Sequence, residues 1–388
     1  MQLAEKEFIR FMRAFDAHPF EITLNGNRYL IGQGAPEFEV TLSRIPGVKE
    51  LMTGTSLALG EAYMDGSLEI EGDLYEALDL FMGQMGKFHT DHKKLKHLIF
   101  PSASKQNQKN EVSYHYDIGN DFYRLWLDET MSYSCGYFKT DQDSLYEAQC
   151  NKAERILEKL HLSEGMSLCD IGCGWGFLLI LAAKKYNVHG VGITLSTEQA
   201  EKFRERIKAE HLEDLLEVKL MDYRDLPGTG MTFDRVVSVG MLEHVGRGNY
   251  EEYMRCVKSI LNPGGLFLLH FISALKEYPG DAWIKKYIFP GGVIPSLREI
   301  LHIAGDMRFY TLDVESLRRH YCRTLLLWNQ NFQAHRNEII KMFDERFVRM
   351  WELYLCSCAA TFHNGIINLH QILFTNNINN DLPMTRWY

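Results

Sequence analysis

Residues 168–176 read LCDIGCGWG, the apolar end of a strand followed by Asp170 and by glycines at 172, 174 and 176. A strand that turns this sharply, and lets a ligand approach its backbone, needs residues without a Cβ. The FLLILAAKK that follows begins a helix, and the free N–H groups of a helix start favour a bound ligand. The spacing is G-x-G-x-G. A dinucleotide fold uses G-x-G-x-x-G with an acid about 20 residues on, and Thr194 holds that place here. The nicotinamide reading weakens, and S-adenosylmethionine becomes the better candidate. A glycine-rich run is also what any tight turn looks like, so the surrounding pattern has to decide.

That pattern is a regular series. SLCDI (167–171), VHGVGI (188–193), LLEVKLM (215–221), FDRVVSV (233–239) and GGLFLLHFI (264–272) are short apolar, β-branched runs. Segments of helical period such as STEQAEKFRERIKAE and YEEYMRCVKSIL separate most of them. Alternating strands and helices predict an α/β fold with a doubly wound, mainly parallel sheet, whose ligands sit at the carboxyl ends of the strands. Those ends carry Asp170 and its glycines, then Thr194 and Gln199, Asp222 and Tyr223, Glu243 and His244, and finally His270 and Ile272.

At 388 residues the chain exceeds one ordinary core, so about two domains are expected. A hydrophobic content of 46% with 24% charged residues describes a soluble globular protein. No window approaches the ~20 apolar residues of a spanning helix, and the N-terminal MQLAEKEFIRFMRAFDAH is amphipathic and carries acids, unlike a secretory signal. A cytoplasmic protein follows. Eight cysteines without an even framework predict reduced thiols. Cys356, Cys358, His363 and His370 lack a C-x-x-C, so no metal site is assigned. A net charge of −9 argues against a nucleic-acid partner.

The first hundred residues differ in kind. FEITLNGNRYLIG holds Asn25-Gly26 between alternating segments, a hairpin signal, and the helical LYEALDLFMGQM follows later. Residues 1–100 therefore form a smaller α+β module. PSASKQNQKNE (101–111) is nearly free of apolar side chains and reads as a linker. The catalytic part then runs over 112–388. Just before the linker, KFHTDHKKLKHLIF (87–100) interleaves Lys87, Lys93, Lys94 and Lys96 with apolar residues. Such a stretch fits an anionic bilayer surface or an ordinary solvated helix face.

Between the linker and the first of these strands lies VSYHYDIGNDFYRLWLDETMSYSCGYF (112–138), dense in aromatics. With DIGCGWG, VGITLSTEQ (191–199), MDYRDL (221–226), MLEHVG (241–246), LLHFIS (268–273), YIFPGG (287–292) and YCRTLLLWNQNF (321–332) it closely resembles the cyclopropane fatty acid synthases over essentially the whole chain. The resemblance implies a Rossmann-like S-adenosylmethionine-dependent methyltransferase domain, with the N-terminal module recognising lipid. The implied reaction adds a methylene group across the cis double bond of an unsaturated acyl chain in a membrane phospholipid.

Carried over by motif, the cofactor would lie against Tyr116, Tyr133, Ser134, Gly172, Gly174, Thr194, Gln199 and Asp222, with the strand-end Asp170 beside them. The resemblance further implies a bicarbonate held by Glu243, His270 and Tyr321, with Cys135 and Ile272 at its edge through backbone atoms, and aligns Cys358 with a cysteine regarded as active in the family. On the residues alone, Glu243 also reads as a cap, His270 as a satisfied buried histidine, Tyr321 as packing and Cys358 as a small core residue. The implied enzyme visits the inner face of the membrane as a peripheral protein and is expected as a homodimer, which would present two lipid-binding patches. Two alternatives stand beside it: a fatty-acyl C-methyltransferase that makes methyl or methylene branches, and a catalytically silent lipid-binding protein.

Overall fold

The computed structural model describes residues 3–44, 48–84 and 118–388. The linker 101–111, the basic stretch 87–100 and Tyr116 lie outside the described residues. The contacts divide the chain into two compact units. One takes the described residues up to 84 together with 280–290 and 325–366; the other takes 118–279, 291–324 and 367–388. The sequence reading places 280–290 and 325–366 with the catalytic part, whereas in the structure they group with the N-terminal residues. The cause is long-range packing, apolar and polar together. The helix Glu345–His363 lies against the helices Val48–Met64 and Leu74–Met82. Arg349 Nε donates to the Tyr63 carbonyl at 2.5 Å, and Gly60 leaves the space that the Trp283 indole fills. Helical period says that a face is buried, not what buries it.

The first unit contains a four-stranded sheet in the order β2-β1-β3-β4, formed by β1 (Phe20–Leu24), β2 (Asn27–Ile31), β3 (Phe38–Leu42) and β4 (Leu68–Glu71). The Asn-Gly signal is borne out: β1 and β2 pair antiparallel with Leu24 opposite Asn27, and Asn25 and Gly26 both take positive φ, 50° and 78°. That is the backbone a two-residue hairpin turn demands.

The second unit is a seven-stranded sheet in the order β10-β11-β9-β8-β5-β6-β7. Its strands are β5 (Ser167–Ile171), β6 (His189–Thr194), β7 (Leu216–Leu220), β8 (Phe233–Val239), β9 (Leu261–Ala274), β10 (Phe309–Ser316) and β11 (Ile367–Asn376). The five read from sequence form the parallel part, and β11 pairs antiparallel with both β9 and β10. The chain runs outward from β5 through β6 to β7 and returns to the other side at β8, so the switch point lies between β5 and β8, where such sheets bind their ligands.

Alternation along the strands builds two cores. Leu266 and Leu268 of β9 join Leu168, Val237 and Leu373 in the core beneath the helices Leu145–Lys159, Phe177–Tyr186 and Thr197–Ala209. Phe267, Leu269 and Phe271 join Cys169, Val236, Ile372 and Phe374 beneath Tyr250–Ile260 and Leu297–Asp306. By the same period His270 and Gln371 point to the first of these faces, where Lys159 is also buried.

Candidate active site

At the switch point Ile171 ends β5 and the chain turns through Gly172, Gly174 and Gly176, with φ of 85°, 55° and 82°. The three glycines serve different purposes. A Cβ on Gly176 would clash with the ring of Phe203, and one on Gly172 would press on Met241 Cγ at 3.1 Å, whereas one on Gly174 would meet nothing within 4 Å. Gly176 and Gly172 are close-packing positions, and Gly174 faces open space.

That space is a cavity walled by Tyr133, Ser134, Asp170, Gly172, Gly174, Thr194 and Gln199, together with Lys152, Trp175, Met221, Tyr223, Gly240, Met241 and His244. Strand ends and a preceding loop thus bring most of the expected cofactor residues together. Thr194 Oγ1 donates to Gln199 Oε1 at 2.8 Å, and Ser196 caps the helix on which Gln199 sits. The Tyr133 ring lies 5.2 Å from that of Trp126 and 5.6 Å from that of Tyr123. Asp222 is arranged otherwise. Its carboxylate accepts from Arg224 Nε and an Arg224 terminal nitrogen at 2.8 and 2.7 Å, while its neighbours Met221 and Tyr223 line the cavity.

The electrostatics of the cavity centre on a buried pair that includes a residue the motifs do not mark. Lys152 donates to Ser134 Oγ at 2.9 Å, and burial pushes its ammonium down to about 8 against the pull of Asp128, Cys135 and Asp170. Asp170 is 3% exposed, one of its carboxylate oxygens has no partner among the described residues, and burial lifts it to about 7 against the pull of Lys152. Lys152 had a sequence signal: it falls, with Ala148, Ile156 and Lys159, on the stripe that the helix Leu145–Lys159 buries. A lysine in an apolar stripe is a group that the fold has reason to enclose.

Beyond the cavity the ends of β8 and β9 carry a second cluster. Gly240 N–H donates to the His270 carbonyl, and Glu243, in the turn after β8, accepts from Ile272 N–H at 2.5 Å with its Oε1. The Ile272 amide therefore serves to hold Glu243. Glu243 Oε2 and His270 Nε2 are both buried and have no partner among the described residues. Burial raises Glu243 to about 7 and holds His270 well below the ordinary imidazole value, the latter reinforced by Lys152 and Lys159. Cys135 is fully buried, with its thiol 3.2 Å from the Gly136 carbonyl and pushed up by burial. Tyr321 is buried near the start of the helix Arg318–Ala334. The structure does not gather Cys358 with these residues: it belongs to the first unit, on the helix Glu345–His363, and burial pushes its thiol up to about 12. A thiol held protonated is a poor nucleophile.

The raised carboxyls make the ligand-free protein sensitive to pH. Asp170 and Glu243 keep a proton when folded that they lose when unfolded, so their contribution is complete below about pH 4 and is lost as pH rises through about 7. Asp170→Asn and Glu243→Gln should therefore each gain stability relative to the parent between pH 5 and 8, on the order of a few kcal/mol at most. Thermal unfolding across that range measures the difference. A gap that stays constant with pH would show that neither carboxyl has a pKa raised by folding.

Comparison with known proteins agrees with this geometry. The sequence pattern of the mycolic acid cyclopropane synthetase family matches residues 103–372, and a domain of unknown function matches 8–93. The cyclopropane-fatty-acyl-phospholipid synthase of Escherichia coli K12 is 39% identical over 349 residues, 87% of this chain and 88% of the relative. A probable fatty acid methyltransferase of Pseudomonas putida is 38% identical over 93% of each. Among solved structures, a mycolic acid cyclopropane synthase complexed with SAH and CTAB superposes with a TM-score of 0.65 at 33% identity, covering 69% of this chain and 98% of that one. With the family pattern spanning the glycine turn, the cavity and the Glu243 and His270 cluster, the chain belongs to the mycolic acid cyclopropane synthetase family, and is an S-adenosylmethionine-dependent methyltransferase.

Proposed function

We propose that the enzyme transfers a methylene group from S-adenosylmethionine to the cis double bond of unsaturated acyl chains in membrane phospholipids, forming cyclopropane rings with bound bicarbonate as the base. The observation that carries this reading is the pair of buried polar atoms, Glu243 Oε2 and His270 Nε2, that have no partner among the described residues and lie beside a cavity with a glycine cradle. Buried polar atoms without partners are costly, and a site that keeps two of them is built for a polar ligand.

S-adenosylmethionine, when bound, supplies an electrophilic methyl group. Gly174, Thr194 and Gln199 would hold it in the cavity, with Asp170 and Lys152 offering opposite charges to its polar ends. An alkene is a weak nucleophile, so the protein contributes mainly by alignment and by excluding water. Closing the ring takes a proton from the added carbon, and a base has to stand where positive charge develops. Glu243 suits an anion neighbour because burial raises its carboxyl to about 7, so a large part of it is neutral near that pH. Its Oε1 already accepts from Ile272 N–H, so its own proton sits on Oε2 and is free to be donated. Tyr321 and the backbone at Cys135 complete the expected anion site.

The deciding experiment incubates the enzyme with unsaturated phospholipid vesicles and labelled S-adenosylmethionine, then analyses the lipids by mass spectrometry and by olefinic proton signals. A gain of one CH₂ with loss of the olefin is expected. The P. putida relative favours a second reading, a fatty acid methyltransferase. A branched product with vinylic protons would select it.

Among the described residues no helix is long and apolar enough to cross a membrane. We place the docking surface on the N-terminal module and residues 87–100, and expect a homodimer at the cytoplasmic face. Replacing Lys93, Lys94 and Lys96 by glutamate should lower cosedimentation with anionic vesicles about 10-fold or more at low salt, leave S-adenosylmethionine affinity unchanged, and matter less at high salt. Equal sedimentation of both proteins at low salt would remove this stretch from the docking surface. Sedimentation velocity tests the dimer.

A further inference from the structure

Behind His270 runs a buried polar chain that the reaction above does not use. His270 and Gln371 stand opposite each other on β9 and β11, and Gln371 Nε2 lies 3.1 Å from His270 Nδ1. On its other side Gln371 Oε1 accepts from Lys159 Nζ at 2.9 Å. Lys159 also donates to Glu315 Oε2 at 2.6 Å, and Arg155 holds the same carboxylate through two of its nitrogens. The side chains at the centre are sealed: Lys159 and His270 are 1% exposed and Gln371 0%.

The chemistry of these groups leaves one arrangement. An ammonium has donors and no acceptor, so the amide atom that faces Lys159 is the oxygen, and the one that faces His270 is the NH₂ group. The reverse amide orientation would set two donors against each other in a buried site. An NH₂ group donates, so His270 Nδ1 accepts and carries no proton. A neutral imidazole without a proton on Nδ1 carries it on Nε2, and Nε2 is the ring atom without a partner among the described residues.

We propose that Lys159 and Gln371 are positioning residues that lock His270 in its Nε2–H tautomer, so that the ring offers a hydrogen-bond donor, and not a base, to the oxyanion that removes the proton in ring closure. The inference rests on the function proposed above for the identity of that anion, and on the Lys159–Gln371–His270 geometry for the tautomer. It divides the labour in the site. His270 grips and Glu243 grips, and the proton goes to the bound anion, since a ring already protonated at the exposed nitrogen has no lone pair there to accept one. The imidazolium is disfavoured by burial next to Lys152 and Lys159.

The test reads the ring directly. Long-range ¹H–¹⁵N spectra of histidine-labelled enzyme, recorded without lipid or bicarbonate and assigned by the signal missing in His270→Ala, distinguish the two neutral tautomers. The Nε2–H form is expected for His270 in the parent. Gln371→Glu replaces the donor by an acceptor and should convert the ring to the Nδ1–H or doubly protonated form, with a kcat about 10- to 100-fold lower and unchanged S-adenosylmethionine affinity. Gln371→Met, which removes the bond and keeps the bulk, should give a mixture of tautomers. An Nδ1–H ring in the parent overturns the proposal without any variant needing to fold, as does a Gln371→Glu enzyme with parental tautomer and kcat. A bicarbonate-independent rate with an Nε2–H ring overturns the anion reading and supports the lock; a bicarbonate-dependent rate with an Nδ1–H ring overturns the lock alone.

Discussion

Gly174→Val is expected to lower S-adenosylmethionine affinity by about 100-fold or more while leaving a folded protein. Gly174 has a φ of 55°, lines the cavity and has open space where a Cβ would stand, so a branched side chain there should take ligand space and also strains a left-handed backbone. Gly176→Ala is the contrasting control. Its Cβ would collide with the Phe203 ring inside the core, so it should cost about 1–3 kcal/mol of stability by overpacking before any effect on binding is considered. Isothermal titration and thermal unfolding of both variants separate the cases. Parental affinity in Gly174→Val would remove the cofactor from this turn.

Glu243→Ala and His270→Ala should each lower kcat by about 100- to 1,000-fold with cofactor affinity changed less than about threefold. Both lie toward the ends of β8 and β9, where Glu243 Oε2 and His270 Nε2 have no partner among the described residues, and neither walls the glycine cavity. Interactions made in the transition state appear in turnover before they appear in ground-state binding. Removing bicarbonate from the parent should produce a similar loss, partly restored on addition. A rate indifferent to bicarbonate would end the anion reading, and a variant that lost affinity in proportion to rate would move that residue into the cofactor site.

The parallel half of the sheet was legible because each strand carries a short apolar run and helical-period segments separate most of them. β5 and β8 occupy the residues expected from their sequence, 167–171 and 233–239. The antiparallel edge was not. β10 alternates weakly, with Tyr310, Leu312 and Val314 exposed, and β11 places His370 and Gln371 inside an otherwise apolar run. Neither strand touches the glycine motif in sequence, so nothing local announces that Gln371 lies opposite His270. Lys152 and Lys159 were hidden in the same way: periodicity marks their stripe as buried, but only the third dimension says that Ser134 and Gln371 await them. The grouping of 325–366 with the N-terminal residues is likewise a matter of long-range contact, which carries no signature along the chain.

The position of β11 has a consequence for how the protein is made. This strand, residues 367–376, lies between β10 and β9, yet it is synthesised after both and after 325–366, which belong to the other unit. While the ribosome is still translating that insertion, β9 and β10 have no partner between them, and His270 faces a gap where Gln371 will lie. Closing the sheet is therefore a late, non-local step whose loop entropy is met only when the last strand docks. The nascent chain can form its glycine turn long before it can hold the proton of His270 in place, so binding competence should precede catalytic competence during synthesis.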